Sequence, residues 1–342
     1  MKKSFDEDQA GLICGFVFSP QTPGVAVTAI EAIAWLDKQA FEQSAGFIWL
    51  HFNLAQTGAE KWMRTHLNLP EVFFETLGDG SRSTRIEDVA DHLISVVNDV
   101  AFKFSFEPSE IATLWSCVNQ RLFVSARAHP LRSTDQLRLA VKNGESFQSS
   151  MALLTHLMHD QGEVLVQIVR DATSQVDYIE DELLVGSFKN KRADLGKLRR
   201  VLVRLQRLLA PEPAALFRFL HQPPAWISQS DLDELRQSTE EFSLVITDLT
   251  ALQERIKLLQ EEIAAQLSEQ TNRSLFTLTI VTVLALPINI ITGLLGMNVG
   301  GIPLAQSTHG FFVIACIVVV FVVIAVWLVF YQKQSEELQH WF

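Results

Sequence analysis

The sequence predicts an α/β domain followed by a long helical stalk and two C-terminal membrane spans. Three observations predict it. Over roughly the first 150 residues, short runs rich in β-branched and aromatic residues alternate with segments of helical period. No Pro or Gly occurs between Ser230 and Pro287. No Asp, Glu, Lys or Arg occurs between Arg273 and Lys333, a run of 59 residues.

The opening stretch, MKKSFDEDQ, is charged and lacks the apolar core of a secretory leader, so none is expected. The runs LICGFVF (12–18), FIWLHFNL (47–54), SVVNDVAF (95–102), IATLWSCV (111–118) and RLFVSA (121–126) read as strands. Asn119 and Gln120 separate the last two and suit a hairpin. Between the early strands, VTAIEAIAWLDKQAF and AEKWMRTHL carry helical spacing. No phosphate-binding glycine pattern follows any strand, and neither G-x-S-x-G nor H-E-x-x-H occurs, so the domain is not expected to be an enzyme or to hold a cofactor.

The formal charge is −11, from 39 acidic and 28 basic residues, which disfavours nucleic acid and favours cations as partners. Cys14, Cys117 and Cys316 lie far apart, without a disulfide or zinc-finger spacing.

From about residue 151 to 273 the pattern is helical. His156, His159 and Asp160 form the one metal-like spacing. Two histidines at i and i+3 share a face and would hold zinc with a third ligand, while the plainer reading is a solvated helix start. Residues 161–184 and 191–209 read as an antiparallel hairpin of amphipathic helices around a turn at Gly186. The first arm ends acidic and the second is basic. HQPPAW (221–226) breaks the chain. A single helix then runs from an N-cap at Ser230 into the first span, a rod on the order of 100 Å.

That helix carries two stripes. Phe242, Val245, Leu249, Leu252, Ile256, Leu259 and Ile263 alternate by three and four as a packing seam. On another face, one heptad phase reads Glu240, Thr247, Glu254, Glu261, Ser268, Leu275, Thr282, Asn289 and Gly296, with Thr279, Leu286 and Gly293 beside it. Within a bilayer, small and polar side chains turn from lipid towards a bundle interior or water. This face therefore reads as pore-lining (Leu275, Thr279, Thr282, Leu286, Asn289 and Gly293), continued by Glu240, Glu254 and Glu261 as an acidic funnel. One helix encloses nothing, so a homo-oligomer around a central axis is required.

The spans are Leu275 to Met297 and Phe311 to Phe330, each long enough for a hydrocarbon core of about 30 Å. Arg273 and Lys333 flank them, while the connector is uncharged, which places both termini in the cytoplasm. The divisions are 1–150, 151–273, 274–332 and a short tail, 333–342.

Gly296-Met297-Asn298, closing the first of two C-terminal spans after a very long helix, resembles the GMN motif of the CorA superfamily of divalent-cation transporters. The resemblance covers the whole layout and is densest over about 230–331. It implies a homopentameric funnel in which the first spans line the pore and the second spans face lipid. It further implies that Gly296, Met297 and Asn298 form the outer selectivity filter. The connector VGGIPLAQSTHG lacks the acidic segment common in magnesium-transporting members and is similar to the ZntB branch, zinc transporters of bacterial inner membranes. The implied cargo is zinc, with magnesium, cobalt or nickel as variants; a membrane-tethered interaction or sensing domain is the alternative. Residues 274–332 hold no Asp or Glu to strip an ion of its water, so the ion is expected to pass largely hydrated. The branch suggests proton-coupled import, yet His309 is the only side chain in that region of a type that ionises near neutral pH, so protons are expected to move through water.

Overall fold

The computed structural model describes the chain apart from residues 1–10, 21, 40–45, 79–82, 186–190, 298–307 and 340–342. It divides into two compact units, Met1–Gln260 and Glu261–Phe342.

The first unit is built on a seven-stranded sheet: β1 (Leu12–Phe18), β2 (Val25–Ala26), β3 (Phe47–Asn53), β4 (Arg85–Val89), β5 (His92–Val100), β6 (Ile111–Val118) and β7 (Leu122–Arg127). Their order is β2-β1-β3-β7-β6-β5-β4, with β3 and β7 parallel and every other pair antiparallel. Helices cover both faces, which explains why β3 reads as an unbroken apolar run rather than alternating. Phe47 and Trp49 join a core with Leu137 of α4 (Arg132–Lys142), Met151 to Met158 of α5 (Ser150–Leu184) and Leu216 of α7 (Pro211–His221). Ile48, Leu50 and Phe52 face the other way, onto Ala32 of α1 (Ala29–Gln39), Met63 of α2 (Ala59–His66) and Phe73 of α3 (Glu71–Gly78). The five expected strands are present. Because α5 shares its core with the sheet, the division near residue 150 is a change of secondary structure within one unit.

Two sequence expectations are revised here. The hairpin β4–β5 went unread because its turn, Ala90-Asp91, has left-handed backbone at both residues (φ 53° and 59°) without the Asn-Gly or Asp-Gly that usually announces one. Secondly, α8 (Gln229–Leu295) begins earlier than expected, so the cap is Ser228 rather than Ser230. The Ser228 hydroxyl accepts from the Asp231 amide at 3.1 Å and donates to the Asp231 carboxylate at 2.8 Å. Asp231 in turn accepts from Ser149 at 2.9 Å, and Ser149 caps α5 through the Ala152 amide. The starts of α5 and α8 are thereby tied together.

Helices α5 and α6 (Lys191–Leu209) form the expected antiparallel hairpin. Lys191 pairs with Glu182 at one end, while Gln161 and Leu208 both reach Asn98 at the other. Gly186 lies outside the described residues. Along the hairpin runs α8, fixed by Gln253 donating to the Leu202 carbonyl at 3.0 Å, Arg199 donating to Gln260 at 3.2 Å, and Arg255 pairing with Asp177 and Glu180. The seam of Phe242, Val245, Leu249, Leu252, Ile256, Leu259 and Ile263 is buried throughout.

One buried acid stands out against this packing. Glu212, 1% exposed, accepts from the Gln161 amide at 3.1 Å, and among the described residues no basic side chain forms an ion pair with it. Burial, seconded by the charge of Asp99, raises its pKa from 4.5 to about 8 although the Gln161 hydrogen bond opposes the shift. The neutral acid is the form the fold accepts, so its contribution is complete below pH 4.5 and is lost as pH rises towards 8. Glu212→Gln is expected to be more stable than wild type at pH 7, by about 3 kcal/mol, with no difference at pH 4. Thermal unfolding of the full chain in detergent across that range measures it; a constant difference at all pH values would contradict the assignment.

Candidate ion pathway

The second unit holds the C-terminal part of α8 and α9 (Gly310–Gln339). The apolar window of α8 has a mean hydropathy of 2.2 with none of it buried; that of α9, Gly310–Trp327, has 3.1 with 6% buried. A helical hairpin in the core of a water-soluble domain would be buried, so these are membrane helices.

The two differ in what they expose. On α8, Leu275, Thr279, Thr282, Leu286, Asn289 and Gly293 are all exposed, as are Gly296 and Met297 just beyond its end. Of the half-buried residues, Ile280, Leu284, Pro287, Ile288, Ile291 and Leu295 lie within about 60° of the direction opposite Thr282 at 100° per residue, while Ala285 lies about 60° from Thr282 itself. The shielded face of α8 is therefore largely aliphatic, and its polar stripe lies on the uncovered side, together with the exposed Leu278, Val281, Val283, Leu286, Ile290 and Leu294. On α9 the exposed residues from Phe311 to Trp327 are apolar apart from Cys316, with no comparable stripe.

The stripe has a definite polarity. Thr279 and Thr282 donate their hydroxyl protons back to the carbonyls of Leu275 and Leu278, both at 2.8 Å. With the proton committed to the backbone, the outward part of each hydroxyl is its lone pairs, which accept from water or face a cation. Pro287 lies inside the helix and has no N–H, so the Val283 carbonyl lacks its usual partner. A Cβ added at Gly293 would meet nothing within 4 Å, so a neighbouring backbone has room to approach there. Asn298 lies outside the described residues.

Below, on the same helix, Glu240, Glu254 and Glu261 are exposed. Glu254 sits 3.4 Å from Lys257, an exposed i,i+3 pair of little energetic weight.

The zinc reading of His156, His159 and Asp160 gains no support from the described residues. Among the described residues no group of three or more His, Cys, Asp or Glu is arranged to hold a metal ion. The two imidazoles have centroids 6.5 Å apart and engage separate carboxylates. His156 lies 3.5 Å from Glu145 and 3.6 Å from Asp160, while His159 lies 3.6 Å from Glu241 and 3.7 Å from Glu163. The solvated-start reading also fails, since the helix begins at Ser150 and Asp160 is mostly covered. Burial, then Glu163 and Glu145, pushes the Asp160 carboxyl up to about 7. Sequence reasoning also passed over His51, which accepts from Arg127 at 2.9 Å inside the sheet; burial pushes its pKa down to about 3, so it is a neutral structural residue.

A family model described as CorA-like Mg2+ transporter protein matches residues 44–333. The chain belongs to the CorA family. This family member is 28% identical over 327 residues to a protein from Pseudomonas aeruginosa named divalent cation transporter CmaX, covering 94% of this chain and 96% of that one. It is 24% identical over 285 residues to the zinc transport protein ZntB of Yersinia enterocolitica, covering 83% and 87%. Among solved structures, full-length CmaX superposes with a TM-score of 0.78 at 26% identity, over 96% of this chain and 99% of the other. The CorA magnesium transporter of Methanocaldococcus jannaschii superposes with a TM-score of 0.74 at 18% identity, over 92% and 97%. The CorA architecture of α/β domain, long helix and two C-terminal spans is thus this chain's own, and its activity is divalent-cation transport, not enzymatic catalysis. Relatives of two different names, CmaX and ZntB, match over most of the chain, so the expected placement in the ZntB branch widens to the family as a whole.

Proposed function

We propose that this CorA-family transporter carries zinc, as a largely hydrated ion, through a central pathway lined by α8 in a homopentamer. The observation that carries the reading is the asymmetry between the spans: α8 leaves a stripe of Thr279, Thr282, Asn289 and Gly293 uncovered opposite its aliphatic face, whereas the exposed residues of α9 from Phe311 to Trp327 are apolar apart from Cys316. A tether needs no such asymmetry, and one chain cannot enclose the stripe. The uncharged connector and the relatives named for zinc support zinc as cargo; the magnesium in the family description supports Mg2+ as the competing cargo. Arg273 and Lys333 flanking an uncharged connector support cytoplasmic termini in a bacterial inner membrane. Asn298, next to Gly296 and Met297, forms the outer filter, where a ring of neutral amides hydrogen-bonds an ion's water shell without trapping the ion.

Flux of Zn2+, Mg2+, Co2+ and Ni2+ into proteoliposomes, with and without an inward proton gradient, tests the proposal. Zinc flux at least as fast as the others is expected. A gradient effect that survives His309→Ala supports a water path for protons; one that disappears makes His309 the coupling group. No flux of any of the four would leave the tether reading standing.

A smaller effect is expected from the stalk. Glu254→Gln with Glu261→Gln is expected to slow flux about two- to threefold at low salt and to flatten its dependence on ionic strength, since exposed charges are screened over about 10 Å at 0.1 M. An unchanged salt profile would make these carboxylates ordinary solvated residues.

A further inference from the structure

Helix α7 is held to its unit by apolar packing and, among the described residues, by one side-chain hydrogen bond, that of Gln161 to Glu212. Ala215, Leu216 and Phe219 are buried, and the last two share a core with Ile227, Leu232 and Leu235 around the start of α8. Pro211 and Pro213 flank Glu212 and have no N–H to offer a neighbour. The polar hold on the first turn of α7 therefore rests on the Glu212 carboxyl.

That carboxyl sits where its neutral form fits and its anion does not. Asp99, as deeply buried on β5, shows what a carboxylate needs here. It accepts from the Val100 amide at 2.7 Å, the Ser133 amide at 3.1 Å and the Ser133 hydroxyl at 2.5 Å. Glu212 has one donor, and Gln161 divides its amide group between Glu212 and the Asn98 carbonyl, 2.7 Å away. The elements around it bring no compensating cation. β5 contributes Asp99, whose charge opposes ionisation of Glu212, while Arg132 of α4 acts on Asp99. On α5, Asp160 precedes Gln161 and lies 3.6 Å from His156. On β4, Arg85 pairs with Glu87 at 2.8 Å. Arg204 and Arg207 are the last cations of α6, and among the described residues neither forms an ion pair with Glu212. Arg218 and His221 lie at the far end of α7 itself. A place in the first turn of a helix favours an anion, but weakly beside the loss of water around an ion enclosed with a single donor.

We propose that Glu212 is a proton-operated latch: protonated, it keeps the first turn of α7 docked on α5, and deprotonated, it leaves the core and loosens α7 together with the start of α8. In the open form Glu212 ionises in water near its ordinary 4.5, and in the docked form near 8. Rising pH therefore favours opening across that interval and not beyond it. Because α7 and the start of α8 share one core, and α8 carries the polar stripe, the latch acts on the helix that the proposed pathway uses.

The test is hydrogen–deuterium exchange of the full chain in detergent at pH 6, 8 and 9, corrected for the intrinsic pH dependence of amide exchange. In wild type, protection over 211–221 is expected to fall at least about tenfold from pH 6 to 8 and about twofold or less from 8 to 9. A smaller fall is expected over 229–236. In Glu212→Gln both segments are expected to keep the same protection at all three pH values. Helix α1, which packs on the opposite face of the sheet, serves as the reference and is expected to be unchanged in both proteins. A flat wild-type profile over 211–221 would overturn the latch even if the variant fails to fold, and so would the same pH dependence in Glu212→Gln. A matching fall in α1 would show a general loss of stability and overturn it too. A fall over 211–221 with none over 229–236 would overturn the connection to α8.

Discussion

Asn298→Ala is expected to reduce metal flux at least a hundredfold while the protein still purifies as the same oligomer. The argument is chemical. Between Arg273 and Lys333 there is no formal charge, so selection along the proposed pathway has to come from neutral oxygens and amides. An amide that orders the first water shell donates and accepts at once, which a methyl group cannot do. If Asn298 forms the filter as proposed, the Ala side chain removes both the donor and the acceptor that a hydrated ion would meet there. Size-exclusion chromatography with light scattering establishes the assembly, and flux assays on the same preparation give the effect. Wild-type flux from a correctly assembled variant would remove Asn298 from the filter.

Asn289→Leu is expected to have the next largest effect, a loss of at least about tenfold, by closing the pathway to water rather than by removing a ligand. Asn289 is exposed on the uncovered stripe within about 20° of Thr282, and Leu286 is its neighbour on that face. A second leucine there would create an apolar collar, and apolar constrictions of molecular width gate by dewetting. Leucine is also a better helix former than asparagine in lipid, so the span itself should be unharmed. The control is Ile290→Leu, one residue on, which keeps an apolar side chain at an exposed apolar site and is expected to change nothing. If Asn289→Leu conducts as well as Ile290→Leu, the stripe does not line the path.

Both spans were legible in the sequence because bilayer insertion depends on a one-dimensional property, the length of an apolar run without charge. The long helix was legible for a similar reason, since the absence of Pro and Gly over more than fifty residues leaves nothing to stop it. The strands Leu12–Phe18 and Ile111–Val118 were readable to the residue because each is a short, mostly apolar run bounded by polar or turn residues; Ile111–Val118 is buried on both faces, and Leu12–Phe18 is half-buried over much of its length. The polar stripe was legible as periodicity alone.

Other features depended on contacts between residues distant in sequence. Nothing local distinguishes Val25–Ala26 or Arg85–Val89 as strands, since both are edge strands stabilised by pairing with β1 and β5. The helix start moved from Ser230 to Ser228 because Asp231 is shared between the caps of α8 and α5, 82 positions from Ser149. The Glu212 environment cannot be read from its neighbours, because Gln161 and Asp99 reach it only after the sheet and helices have packed.

The histidine cluster shows the division most directly. The sequence established that His156 and His159 share a helix face, because a period of 3.6 fixes relative direction along one helix. It could not say what stands opposite, and zinc was the reading that needed only those neighbours. Packing decided otherwise by bringing Glu145 and Glu241, from two other segments, to opposite imidazoles. What the sequence alone determined is therefore whatever follows from backbone periodicity and solvent preference: two spans, a stalk and a stripe. What only the tertiary structure decided is which charges face each other across elements, because those energies depend on distances between groups that the chain order does not constrain.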